Sequence, residues 1–195
     1  MATLKIQIRE ARIGDLGDIT DLWEQMAEHH SRLSHHFTVS EDGRDKYSKY
    51  LVRKFSEKST KLIVATSGPK AVGYMLCLLS PNSPVFKERT LGIVSDVYVR
   101  PEFRKRGITK EMLKVGLRWF HRNKVATVQL SVAAANLEAR AAWGQLGFKP
   151  HMMMKRLDLD KFPATQILSE EPKVIRKKVV KRKKRRVSGL RAKAP

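Results

Sequence analysis

The sequence predicts a mixed α/β domain followed by a basic tail. Segments that alternate apolar and polar residues, as β-strands do, lie between segments with apolar residues at helical spacing. Their order, β-α-α-β-β-β-α-β-α-β, is not a regular βαβ repeat, so we expect a mixed, mostly antiparallel sheet flanked by helices. The 195 residues suffice for one domain of about 150–160 residues and an extension.

The first third of the chain supplies one strand and two helices. Residues 4–10 alternate as a strand, and Gly14 and Asp15 open the first helix. Residues 29–38 predict a loop or short helix, and residues 40–57 a second amphipathic helix. The apolar face of the first helix comprises Leu16, Ile19, Leu22, Trp23 and Met26.

The rest of the domain predicts a hairpin and then alternating strands and helices. A Ser-Gly-Pro-Lys turn at 67–70 joins the two hairpin strands. The predicted elements are strands at 61–66, 71–79 and 91–99, a helix at 105–122, a strand at 126–132, a short helix at 137–146 and a last strand at 151–158.

The apolar periodicity fades from Asp160 onward, and Pro163 and Pro172 interrupt the chain. We therefore expect a folded domain over 1–160 and a linker with a disordered polybasic tail over 161–195.

The positive charge is concentrated at the C-terminus. The chain has 40 Lys and Arg against 19 Asp and Glu, a net charge of +21. Residues 173–195 hold 12 of the basic residues and no acidic one, which leaves 28 − 19 = +9 for residues 1–172. We expect non-specific nucleic-acid contact through 173–195, since the tail has no aromatic residue for base stacking. A solvated tail with no cellular role is the alternative.

Several classes of protein are not expected. The single cysteine, Cys77, lies in an apolar run and predicts a buried, inert thiol. No apolar run of about 18 residues occurs, so no membrane contact is expected. Charged residues replace the apolar stretch of a signal peptide at the N-terminus, which favours a cytoplasmic protein. The sequence leaves both a monomer and a homodimer open.

Two histidine pairs, His29 with His30 and His35 with His36, could gather a metal ion. No cysteine or ordered acidic partner accompanies them, so we expect no metal site. A histidine that recognises substrate or acts as a base is the alternative.

Residues 95–110 are the most informative segment. A strand ends before Pro101, a basic turn follows, and an amphipathic helix begins. The start of a helix leaves unpaired backbone N–H groups that suit a pyrophosphate, and Gly107 has no Cβ to obstruct it. Arg104, Lys105, Arg106 and Lys110 add positive charge. An ordinary basic turn is the alternative.

This segment resembles the signature of GNAT acetyltransferases, with Arg104, Gly107 and Thr109 in the signature positions. Thr109 replaces the small residue that usually comes last. Asn136, Ala139, Trp143 and the Gly147-Phe148 pair resemble a second motif of the family. With the opening Ile8-Arg9-Glu10-Ala11 segment, the resemblance covers about residues 4–158.

The resemblance implies a splayed cleft for acetyl-CoA, the acetyl donor. The backbone amides of residues 105–110 would hold the pyrophosphate, and main-chain groups of residues 97–99 would pair with pantetheine. Asn136 would cap its helix and offer its amide to pantetheine, and Trp143 would also contact the cofactor. The implied cofactor residues are Val97, Tyr98, Val99, Arg104, Lys105, Arg106, Gly107, Ile108, Thr109, Lys110, Asn136 and Trp143.

The implied reaction moves an acetyl group to a primary amine of a small molecule or protein. A lysine amine needs about 4.6 kcal/mol to lose its proton at pH 7, so a base would help. Asp96 is the only carboxylate on the cofactor strand and the candidate base; a purely structural aspartate is the alternative.

The indole N–H of Trp143 is too weak an acid to protonate a thiolate. Ser131 stands where the acetylases of ribosomal-protein α-amines have Glu, which argues against that subfamily. Both residues keep a second reading open: a catalytically weak acyl-CoA-binding module tethered to nucleic acid.

Overall fold

The computed structural model describes residues 5–159 and 161. The chain divides into two compact units, Met1–Pro150 and His151–Pro195. The strands of the first unit are β1 (Ile6–Glu10), β2 (Thr60–Ser67), β3 (Lys70–Pro81), β4 (Thr90–Val99) and β5 (Val128–Leu130). Its α-helices are α1 (Leu16–Leu33), α2 (Gly43–Phe55), α3 (Ile108–Arg122) and α4 (Leu137–Gln145). Short 3₁₀ helices span Ile13–Asp15, His35–Phe37 and Pro101–Phe103.

The five strands form one sheet in chain order, and all neighbours are antiparallel except β4 and β5. The connection from β4 to β5 runs through α3, as a parallel pair requires. This arrangement confirms the predicted mixed, mostly antiparallel sheet flanked by helices. Gly68, with φ +59°, makes the predicted turn between β2 and β3.

Each face of the sheet has its own hydrophobic core. On one face α1 and α2 pack their apolar residues against Leu62, Val64, Tyr74 and Leu76. On the other face α3 packs against Ile63, Met75, Cys77 and Val94. Alternate residues of a strand point to opposite faces, so β2, β3 and β4 contribute to both cores. As predicted, Cys77 is buried, and its burial raises the pKa of the thiol to about 12.

Two helices differ from the prediction at their ends. α1 continues to Leu33, so of the segment 29–38, predicted as a loop or short helix, only residues 34–38 lie outside α1, and they include the 3₁₀ helix His35–Phe37. The Ser34 N–H donates to the His30 carbonyl at 3.2 Å and closes the last turn. α3 begins at Ile108 rather than near 105, because Lys105 (φ +59°) and Gly107 (φ +76°) have left-handed backbone conformations that no α-helix contains.

The predicted last strand at 151–158 is wrong: none of these residues is in a strand. Met152, Met153 and Met154 are 89%, 78% and 81% exposed, so no burial fixes a strand there. A segment forms a strand only when a neighbour supplies backbone partners and a covered face.

The residues for which the tail prediction was made, 173–195, lie outside the described part of the chain. In the described ranges, no helix has the length and apolarity needed to cross a bilayer.

Candidate active site

A cleft opens where β4 and β5 separate. The two strands pair over only three residues, from Gly92 with Val128 to Val94 with Leu130. β4 then continues from Ser95 to Val99 while it pairs with β3 alone. The register between β3 and β4 shifts at the same level, opposite Ser95, and such an irregularity turns a strand away from its neighbour. The sheet is therefore splayed along the second half of β4.

The backbone of β4 presents free hydrogen-bonding groups to this cleft. The Arg100 N–H donates to the Val72 carbonyl at 2.9 Å, on the β3 side. Antiparallel partners alternate, so Asp96 and Tyr98 also direct their backbone groups to β3, and Val97 and Val99 direct theirs away from it. An extended ligand lying in the cleft would find the N–H and C=O of Val97 in position.

In the turn after β4, residues 105–110, several backbone N–H groups converge. Lys105 and Gly107 both have positive φ, and such alternation in a turn makes N–H groups converge. The first i→i−4 bond of α3 runs from the Glu111 N–H to the Gly107 carbonyl at 3.1 Å. The N–H groups of Ile108, Thr109 and Lys110 precede that bond and have no partner within the helix.

The left-handed backbone conformation at residue 107 favours glycine, and the position of its missing Cβ faces open space. A Cβ at this position would meet no atom within 4 Å. The glycine is therefore needed for its φ of +76°, and the space beside it is available to a ligand. This geometry fits a pyrophosphate, whose oxygens accept from helix N-terminal amides.

Arg104 holds the turn against the end of β4. Its Nε donates to the Val99 carbonyl at 3.0 Å, and its guanidinium lies 5.6 Å from the Tyr98 ring centroid and 3.9 Å from the Glu138 carboxylate on α4. These contacts make Arg104 a positioning residue for the turn, whereas the sequence analysis gave it as a source of positive charge and, by resemblance, as a cofactor-binding residue. The side chains of Lys105, Arg106 and Lys110 are exposed.

The second motif forms the start and end of α4. The Asn136 side chain accepts from the Ala139 N–H at 3.0 Å, which confirms the predicted cap and leaves its amide NH₂ as the group that could donate to a ligand. Gly147 has φ +94° just after the helix. Trp143 packs on the α3-side core and meets the Phe148 ring edge-on at 5.2 Å.

Asp96 lies immediately after the register shift, half-buried, on the face covered by α1 and α2. The Tyr47 hydroxyl of α2 donates to Asp96 Oδ2 at 3.0 Å, and the Ser95 hydroxyl lies 3.4 Å from Oδ1. The Tyr47 hydroxyl also lies 3.5 Å from that of Tyr74, and its ring stacks on Trp23 with 4.2 Å between centroids. Asp96 thus joins a chain of aromatic residues that links β4 to α2 and α1.

Burial raises the pKa of Asp96, and the hydrogen bonds from Tyr47 and Ser95 act in the opposite direction. Burial, together with the Asp96 charge, raises the pKa of Tyr47 far above its ordinary value, so this hydroxyl remains a donor. A carboxylate with a raised pKa is a stronger base than an exposed one and accepts a proton more readily.

Four further candidate side chains from the sequence are buried or half-buried in the domain. The Tyr98 side chain is buried in the core beneath α1 and α2, and its backbone groups are directed to β3 rather than to the cleft. Ile108 is buried against the sheet, and Thr109 is half-buried. His30 is half-buried 5.7 Å from the Phe37 ring, and burial lowers its pKa.

Sequence reasoning missed Tyr47 as a partner of Asp96. Tyr47 belongs to the apolar residues that make 40–57 an amphipathic helix, and the sequence indicates no other role for it. The two residues are 49 positions apart, and no local pattern reports such a contact.

The sequence and the fold have clear relatives. Residues 21–148 match the model of the acetyltransferase (GNAT) family. The bovine (Bos taurus) thialysine N-epsilon-acetyltransferase is 30% identical over 139 residues, which cover 68% of this chain and 72% of that protein. A tetramutant of a Bacillus halodurans protein superposes with a TM-score of 0.68 at 20% identity, over 78% of this chain and 99% of the other.

A further fold neighbour is aminoglycoside N-acetyltransferase AAC(6')-Iy in complex with CoA. It superposes with a TM-score of 0.64 at 15% identity and covers 79% of this chain and 94% of its own. The family match covers more than half of the sequence, and the splayed sheet and the converging N–H groups of residues 105–110 agree with it. The chain belongs to the GNAT acetyltransferase family and is an N-acetyltransferase with acetyl-CoA as its acetyl donor.

Proposed function

We propose that this protein transfers the acetyl group of acetyl-CoA directly to a primary amine in the cleft between β4 and β5. One observation carries the proposal. At one end of the splayed part of β4 lie the converging N–H groups of the turn at residues 105–110. At the other end lies the half-buried Asp96 carboxylate. Cofactor-binding groups and a candidate base therefore lie on the same short stretch of strand.

The residues of the chain have distinct roles in this proposal. The amides of residues 105–110 hold the pyrophosphate, and the main chain of Val97 pairs with the pantetheine arm. The acetyl thioester supplies the electrophile. Asp96, directly or through a water molecule, removes a proton from the amine as its nitrogen attacks the thioester carbon. The C–S bond breaks, and solvent protonates the departing thiolate, because Trp143 has no suitable acid group.

Asp96 addresses the main energetic problem of the reaction. An aliphatic amine of pKa about 10.4 must give up its proton at a cost of about 4.6 kcal/mol at pH 7. A carboxylate with a raised pKa lowers that cost at the moment of attack. Tyr47 keeps Asp96 in one orientation and moderates its pKa.

The acceptor is proposed to be a small cationic amine of the lysine type. The bovine relative at 30% identity is named for thialysine and acts at an ε-amine. A pocket of about 310 Å³ between α1 and the segment before α2 supports this choice. Trp23, Glu24, Glu28, Glu41 and Arg44 are among its lining residues, and Trp23 stacks on Tyr47. Glu24 is paired with Arg44 and Glu28 with Arg32, so Glu41 is the lining carboxylate for which the described part of the chain shows no ion pair. Carboxylates favour an ammonium group on approach.

The direct test is release of free CoA thiol from acetyl-CoA in the presence of different amines. The panel should contain thialysine, lysine, a polyamine and a peptide with a free α-amine. We expect turnover with at least one ε-amine or polyamine substrate. Acetyl-CoA binding without thiol release above the amine-free rate for any member would contradict the proposal and favour the binding-module reading.

Tyr47→Phe provides a test of the Asp96 environment. Removing the hydroxyl removes a hydrogen bond to the charged form of Asp96, so the Asp96 pKa should rise. Because the base must be ionised, the acidic limb of kcat/KM should move to higher pH. At the pH optimum we expect less than about a tenfold loss of activity.

The control for Tyr47→Phe is Tyr50→Phe, since Tyr50 also contacts the Tyr47 ring but gives no hydrogen bond to Asp96. Its pH profile should match that of the wild type. An unshifted acidic limb in Tyr47→Phe would contradict the proposed role of Asp96.

The tail is proposed to contact nucleic acid and to take no part in catalysis. If about six of its 12 charges contact duplex phosphates, the log–log salt slope should be near −5. Removal of 173–195 should reduce that slope and leave turnover of a small amine unchanged. Loss of activity on a free small amine would show that the tail belongs to the active site.

A further inference from the structure

The outer surface of α3 carries basic side chains that the acetyl-transfer site does not use. Lys114, Arg118, Arg122 and the following Lys124 are all exposed, and His121 is exposed among them. We call these five residues the α3 basic face. They lie beyond the first turn of the helix, whose amides are assigned to the cofactor.

Most of these charges have no acidic neighbour. In the described part of the chain, only Lys114 among them has a carboxylate within 4 Å, that of Glu111 at 2.7 Å. Glu111 is also the only acidic residue from 105 to 124. The charge of the face is thus not neutralised by the fold.

α2 provides an internal comparison, because it is equally rich in basic residues. Four of its five basic side chains form ion pairs: Arg44 with Asp21 and Glu24, Lys46 with Asp42, and Arg53 and Lys54 with Glu57. Basic residues on α2 therefore stabilise the domain locally, whereas those on α3 are available to an external anion.

The geometry indicates an extended anion rather than a single one. Lys114, Arg118 and Arg122 are spaced four residues apart, which spreads their charges along about 12 Å of the helix. Duplex DNA carries one phosphate per about 3.4 Å of each strand, so this face can contact several phosphates at once. The aromatic residues of α3, Trp119 and Phe120, are buried and cannot stack on bases.

We propose that the α3 basic face is a docking surface for the phosphate backbone of nucleic acid, independent of sequence and separate from the acetyl-transfer cleft. Lys114, Arg118 and Arg122 contact phosphates and release their counterions. The folded domain then takes part in nucleic-acid binding together with the C-terminal charges, and does not merely carry them.

The test uses full-length protein with Lys114, Arg118 and Arg122 all replaced by Gln. The matched control replaces Lys46, Lys49 and Arg53 of α2 by Gln, which removes the same net charge from the other helix. Binding of a 20-base-pair duplex and a 20-nucleotide RNA is measured at several salt concentrations. Circular dichroism and turnover of a small amine report whether each variant is folded.

The α3 variant should bind duplex DNA at least tenfold more weakly at 0.1 M salt, with a salt slope reduced by roughly 2–3. The α2 variant should keep both values close to those of the unmodified protein. Equal losses in the two variants would overturn the proposal, because they would reflect net charge alone.

Two further results would also overturn it. A higher KM for acetyl-CoA in the α3 variant would assign the face to the cofactor site. Weaker binding to vesicles containing phosphatidylserine, with unchanged nucleic-acid binding, would assign it to a lipid surface. The Gln substitutions remove charge without shortening the helix or exposing its core, so loss of fold is not expected.

Discussion

Replacing Asp96 with Asn is expected to lower kcat by at least about 100-fold, because general bases contribute roughly 10²–10⁴ to rate. The affinity for acetyl-CoA should change little, since the cofactor is proposed to contact the backbone of β4 and the amides of residues 105–110. The acidic limb of kcat/KM should also disappear. Steady-state thiol release across pH, with calorimetry of acetyl-CoA binding, provides both measurements.

The fold should tolerate this substitution. Asn keeps an oxygen that can accept from Tyr47. Burial raises the pKa of Asp96, so its ionised form opposes folding at a pH above its unfolded-state pKa. Removing that charge should therefore not reduce stability at pH 7. A large loss of activity could then not be attributed to unfolding.

Glu102→Gln is the matched control, since Glu102 is an exposed carboxylate in the 3₁₀ helix that follows β4. Its activity should be close to that of the wild type. If Asp96→Asn retains the wild-type kcat and pH profile, another group or bulk water is the base, and Asp96 is a structural residue.

Gly107→Val should weaken acetyl-CoA binding at least tenfold, or about 1.4 kcal/mol. A β-branched residue is strongly disfavoured at φ +76°, so the turn must rearrange. If the turn did not rearrange, the new side chain would fill the open space that we assign to the pyrophosphate. In both cases the converging amides of the turn can no longer donate to the pyrophosphate. Calorimetric titration with acetyl-CoA measures the effect.

The control for backbone strain is Gly68→Val in the turn between β2 and β3. Gly68 also has a left-handed backbone, φ +59°, and nothing lies within 4 Å of a Cβ there. Both variants should lose thermal stability by similar amounts, and only Gly107→Val should lose cofactor affinity. Unchanged affinity in a folded Gly107→Val protein would remove the pyrophosphate from this turn.

Elements with local signals could be predicted before the fold was known. The apolar runs and the turn of the hairpin, the apolar faces of α1 and α3, and the Asn136 cap all follow from neighbouring residues. These features predicted the fold class, and the resemblance to GNAT acetyltransferases implied the cofactor cleft. Local signals failed at 151–158, where Met152, Met153 and Met154 are exposed and no burial holds the segment as a strand.

The surroundings of Asp96 and the ion pairs between helices depend on the packing of segments that are distant in the chain. The contact between Tyr47 and Asp96 joins α2 to β4 across 49 residues, and packing of both helices on the sheet brings it about. The same packing places Asp21 and Glu24 of α1 beside Arg44 of α2. The pairs of Lys46, Arg53 and Lys54 join residues three or four positions apart, so the sequence itself indicates them. In the described part of the chain, the α3 basic face has one such pair, Lys114 with Glu111. A sequence records each charge, but its pKa and its partners depend on burial and distance, which exist only after folding.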